Sequence, residues 1–168
     1  ANTPNINKII QNGVFNFETK VKTDTYSAPS WSCILSGYTQ KYTKIYSNEK
    51  IEKDNFKWKT SNLFQKLNDK HVKTHTFTST WKGMDSLTQD AYKRNHFDDG
   101  SYTQNDIHTI QKTNEFIKKP CHFNTFVFMY LYGIDKVGHK TGFSIQSSKY
   151  IQSIEKIDSY LKSLLESL

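Results

Sequence analysis

Apolar positions recur along the chain with two periods, about 3.6 residues where helices are expected and 2 where strands are. Ile6, Ile9 and Ile10 share one helical face behind Thr3-Pro4 and ahead of Gly13, which predicts a short helix over 3–13. Val14, Phe15 and Phe17 begin a strand-like stretch that continues through Lys20 to Asp24. The turn Tyr26-Ser27-Ala28-Pro29 then opens a small-residue helix that stops at Gly37. A polar segment with Tyr38, Tyr42, Tyr46 and Asn48 reads as loop, and Leu63, Phe64 and Leu67 mark a capped helix over 60–67. Alternation with β-branched residues predicts a strand over 72–79, and a short helix is expected near 87–94. Thr103, with Asp106 three residues on, is the expected cap of a helix reaching about residue 118 before Pro120. Residues 123–132 form the most hydrophobic run, expected as a central strand covered on both faces, and 133–142 reads as a glycine-punctuated polar loop. A long amphipathic helix is expected around Ile151, Ile154, Ile157, Leu161 and Leu164.

This order of helices and strands predicts an α/β domain, with a mainly parallel sheet and helices on both faces. Ligands of such folds gather at the carboxyl ends of strands, where the Ser27 turn and the 133–142 loop are both expected. The 168 residues fit a single domain without an internal repeat, and 14% aromatic content offsets the modest 35% apolar share as material for a core. Net charge is +7, yet Arg94 is the one arginine and the lysines are scattered. That pattern argues against specific nucleic-acid binding, which favours arginine-bearing stripes. No apolar run is long enough to span a membrane, and localisation stays open. Cys33 and Cys121 lie far apart beside apolar residues, so free thiols or one disulfide are both open.

Two segments concentrate the chemistry. A serine at a helix start is either an N-cap or, beside the free N–H groups and positive dipole end, an anion-bound nucleophile, and Ser27 has that position. Asp135 and His139 lie four apart between glycines; the pair either shares a divalent metal, zinc suiting mixed O/N ligands, or is a turn cap beside an ordinary polar histidine. His71 and His75, expected on one strand face, read as solvent-exposed positions before metal ligands, and Cys121-His122 as a structural placement. Phe97-Asp98-Asp99-Gly100 reads as an acidic turn, Lys140 as a solvated lysine, and the Tyr38, Tyr42, Tyr46 series as rim packing or a stacking platform.

The pieces 3–14, SAPSWSCILSG over 27–37, the Asn48 segment and YGIDKVGHKTGF with YIQSIEKID after it occur together and in order. In these, the chain resembles the alkaline phosphatase superfamily and its type I phosphodiesterase/nucleotide pyrophosphatase branch. The resemblance implies an alkaline-phosphatase-like core and Ser27 as nucleophile, with Asn48 contacting phosphoryl oxygens. It also implies Asp135 and His139, with Ser27, as ligands within a pair of zinc ions. The implied reaction is hydrolysis of small-molecule phosphodiester or pyrophosphate bonds through a phosphoserine intermediate. Sulfatases share the fold, but Trp31 stands where their motif has arginine.

Other ligands of the family have no counterpart in the motifs of this chain. The expectation is therefore that residues 1–168 are an internal portion of the catalytic domain, whose partner is the rest of that domain. The alternative expectation is a non-catalytic structural or binding module that keeps the fold without a complete metal site.

Overall fold

A computed structural model describes the chain except residues 54, 99–100 and 121–123, together with the side chains of 102 and 103. The Asp99-Gly100 turn, the Cys121-His122 pair and the Thr103 side chain thus lie outside the described residues. Three strands, β1 (Lys73–Ser79), β2 (Lys93–Phe97) and β3 (Thr125–Tyr130), form a parallel sheet in the order β2-β1-β3. The helices are α1 (Pro4–Gln11), α2 (Ser27–Ser36), α3 (Gln40–Thr43), α4 (Leu63–Asn68), α5 (Lys82–Leu87), α6 (Tyr102–Ile117), α7 (Gly133–Thr141) and α8 (Ser148–Leu165). Among the described residues a 3₁₀ turn spans Asn48–Lys50.

Strand alternation divides the sheet into two unlike faces. On one, Thr74, Thr76 and Thr78 are buried beside Phe128 and Tyr130. Trp31 of α2 packs edge-on against both rings at 6.1 and 5.4 Å, and Phe64 of α4 meets Phe128 at 5.8 Å. Ala28, Leu35, Ile45, Ile51, Met84 and Leu87 complete this core. On the other face, His75 and Phe77 stack under Phe116 of α6. Helices on both faces and an all-parallel sheet agree with the expected α/β class.

Several elements depart from the pattern. Residues 14–24 form no strand; Val14, Phe15 and Phe17 are exposed, and an isolated extended segment has no neighbour to receive its backbone hydrogen bonds. Residues 82–97 place a helix first and a strand after it, because Thr88 closes α5 by bonding back to Met84 and Asp85 carbonyls. β1, not β3, is the central strand among the described residues, since β1 carries the threonine face and pairs on both sides. The α6 cap is Ser101, in a reciprocal box with Gln104. That frees Asp106 from the capping expected of it. The C-terminal helix is anchored by α1: fully buried Asp158 accepts the Asn5 and Ile6 backbone N–H groups at 3.2 and 2.8 Å and the Asn5 side-chain amide at 3.0 Å.

Candidate active site

Ser27 is the first residue of α2, and the cap position before it is held by Tyr26 in an extended conformation without a side-chain cap. Pro29 fits the first turn because its missing N–H would have no intrahelical partner there. One of the remaining donors, the Ala28 N–H, is taken by Asn48 Oδ1 at 2.9 Å across twenty residues of chain. The Asn48 amide is thereby oriented: with its oxygen fixed on the helix, its Nδ2 group is the donor left for a ligand. No described group holds the Ser27 hydroxyl, and the side chain is half-buried.

The segment after β3 is a helix rather than the expected loop. The cause lies in Asp106. Its carboxylate accepts the Gly133 N–H at 2.7 Å, the Tyr132 N–H at 2.9 Å and the Ser79 hydroxyl at 2.6 Å. A carboxylate on the first N–H groups starts the helix and complements its dipole. Burial pushes the Asp106 carboxyl upward, and the bonds from Ser79, Tyr132 and Gly133 offset part of that rise.

On α7, Asp135 and His139 are one turn apart and project together, with His139 Nε2 3.6 Å from Asp135 Oδ2. Gly138 has a steric reason: a Cβ there would lie 2.2 Å from the Phe143 ring, which packs edge-on to His139 at 5.2 Å. Gly138 thus admits a neighbour inside the helix, while Gly142, at φ 89°, ends it.

The structure joins Asn48 to the start of α2 through the Ala28 N–H, and Asp135 to His139 side chain to side chain. Trp31, one turn beyond Ser27, packs against Tyr130 at the end of β3. The Tyr130 phenol is pushed up, first by burial and then by the negative charge of Asp135. Asp135 and His139 lie on the helix that leaves the carboxyl end of β3. At the same edge Thr80 holds a left-handed backbone, φ 59°, uncommon for a β-branched residue and fixed by Thr80 N–H to the Phe97 carbonyl and Asn105 Nδ2 to Thr80 Oγ1.

Type I phosphodiesterase/nucleotide pyrophosphatase is the family whose pattern matches this chain, over residues 1–168. The chain belongs to that family. It is thus a member of the alkaline phosphatase superfamily, and the family's activity is hydrolysis of phosphodiester and pyrophosphate bonds. No curated protein matches the chain. Among the described residues, no group of three or more His, Cys, Asp or Glu side chains could hold a metal ion. The donor set of Asp135 and His139, one carboxylate and one imidazole on a shared helical face, fits two positions of a zinc ion.

Other candidates fall differently. His75 is buried against Phe116 instead of exposed, because strand alternation turns it under α6, and His71 precedes β1 with φ 58°. Tyr38 and Tyr42 stack at 6.2 Å on the rim, with Lys66 Nζ over Tyr38. Ser79 and Asp106 were absent from the sequence-level candidates. The available signal was spacing: Asp106, Ile110 and Thr113 lie on one helical stripe, so the carboxylate belonged to the buried face of α6.

Proposed function

We propose that this chain carries the nucleophile side of a zinc-dependent phosphodiester or pyrophosphate hydrolase acting on small-molecule phosphate esters. The observation that carries the reading is the Ala28 N–H to Asn48 Oδ1 bond, which sets an amide donor beside a serine at a helix start. In this scheme Ser27 Oγ attacks phosphorus, an Oγ–P bond forms, and the ester oxygen of the leaving group departs with the bonding electrons. Asn48 Nδ2 and the α2 N-terminus donate to the phosphoryl oxygens as negative charge builds. Water then cleaves the Oγ–P bond of this phosphoseryl ester, releasing the phosphate monoester and returning the Ser27 hydroxyl. Asp135 and His139, with Ser27, are the residues that would hold zinc. When bound, zinc supplies Lewis-acid stabilisation of phosphoryl charge and a lowered hydroxyl pKa. The Asp106 anchor of α7 supports the reading by fixing where the two ligands project.

The test is hydrolysis of bis(p-nitrophenyl) phosphate with zinc present, followed by acid quench and peptide mass analysis. Expected are turnover, a p-nitrophenylphosphoryl group on the Ser27 peptide, and loss of both in Ser27→Ala. Full activity in Ser27→Ala would sink the reading.

A second reading, a non-catalytic module that pairs with the remainder of a catalytic domain, draws on the absence of a three-ligand cluster among the described residues. Calorimetry with zinc separates the two. Weak binding to this chain favours the module, because two protein ligands rarely retain the ion, whereas tight stoichiometric uptake contradicts it.

A further inference from the structure

The face of the sheet opposite Trp31 carries a cavity that the residues of the candidate active site do not line. Register places Lys93 beside His75, Asn95 beside Phe77 and Phe97 beside Ser79, and alternation turns these six side chains to one face. The C-terminal half of α6 lies over part of it, with Phe116 4.3 Å from His75 and 5.6 Å from Phe77 by ring centres. Between that helix and β2 opens a cavity of about 300 Å³. This is the small end of the range for sites that enclose organic ligands.

Its walls combine two chemistries. Phe77, Phe97 and Phe116 give flat apolar surface, while Lys93 from β2, Lys112 from α6 and Lys119 just beyond the end of α6 bring positive charge. Glu115 is the acidic residue in the wall, and it is matched to Lys112 at 2.9 Å, so the charge of Lys93 and Lys119 sets the sign of the cavity. His75 lines the same cavity, is only 9% exposed, and has a buried Nδ1 that no described group hydrogen-bonds. Buried polar atoms seldom stay unpaired without a role.

We infer that this cavity binds a small aromatic anion, a single flat ring bearing one anionic group, at a site separate from the Ser27 edge. The ring fits against Phe116 and Phe97, and the anionic group meets the Lys93 and Lys119 ammonium groups at the open side. An inorganic anion lacks the ring, and a neutral phenol lacks the charge.

Benzoate titrated into the whole chain and followed by NMR tests this. Expected are saturable shifts at His75, Lys93 and Phe116, with Ser27 and Asp135 unmoved. Acetate and phenol should each bind at least about tenfold more weakly, the scale of one lost charged or apolar contact. The double variant Lys93→Glu, Lys119→Glu should lower benzoate affinity by about tenfold or more, and both side chains are exposed, so the fold is retained. No saturable shift at these residues, equal binding of phenol, or indifference to the charge reversal would each overturn the proposal.

Discussion

At the scale of single residues, Asn48 is the side chain whose geometry says most. Its Oδ1 accepts the Ala28 N–H, so the amide cannot rotate freely and its Nδ2 is presented in one orientation. Asn48→Asp keeps the acceptor for Ala28 but replaces the donor with negative charge. Its kcat on bis(p-nitrophenyl) phosphate should fall by roughly 10²–10³, the cost of one lost oxyanion donor, while the urea midpoint changes little. A fall in stability without a fall in kcat would make Asn48 only a clamp on α2. His75 makes a prediction of a different kind. Burial lowers its pKa, and Lys93 and Lys73 lower it further, so the folded protein favours the neutral ring. The unfolded ring titrates near about 6.5. Stability from this group is therefore present above that pH and lost as pH falls toward the lower folded value. Thermal unfolding of the parent and of His75→Phe between pH 8 and 5 should show the parent losing ground to the variant on the acid side. Parallel curves would place the ring's titration outside the folding equilibrium.

At the scale of elements, capping and anchoring decide more than propensity does. The helix α1 has a Pro-led start and an apolar face readable from its isoleucines, yet it stays in place through Asp158 of α8. Asp158→Ala leaves the Asn5 and Ile6 donors without their carboxylate. It should cost about 1–3 kcal/mol, seen as a lower urea midpoint, with faster amide exchange confined first to α1. Exchange accelerated evenly through α6 and β1 would contradict a local anchor. The same logic explains what was legible in the sequence. β1, α6 and α8 carry strong periodicity and were readable nearly to their ends. The 133–142 segment was not, because its glycines are also loop signals. Its helix depends on a carboxylate twenty-seven residues upstream and on a phenylalanine that needs the space over Gly138. Strand β2 was hidden for a similar reason. Its Lys-Arg-Asn-His sequence has little apolar patterning, and it forms by pairing along β1.

At the scale of the molecule, Ser27, Asn48, Asp135 and His139 were recoverable as motifs, but their arrangement came from topology. Parallel pairing of β3 with β1 brings the start of α7 to the edge where Ser79 and Asp106 hold it. Packing of Trp31 on Tyr130 brings the start of α2 to the same strand end. Neither contact has a local signature. What the whole chain does carry openly is its charge, +7 from 23 basic and 16 acidic residues. The lysines are dispersed, so they create a broad positive field rather than a groove. Such a field raises the encounter rate of anionic substrates without altering chemistry once they are bound. Ions screen it over about 10 Å at 0.1 M ionic strength. For the monoanionic bis(p-nitrophenyl) phosphate, kcat/KM should fall roughly threefold or more as sodium chloride rises from low salt to about 0.3 M, with kcat held constant. The uncharged p-nitrophenyl acetate is no substrate in this scheme, so the comparison is best made with the doubly charged p-nitrophenyl phosphate. A steeper salt slope for that ester identifies steering by the global field. Equal slopes for the two esters would instead assign the effect to loss of a local contact at the site.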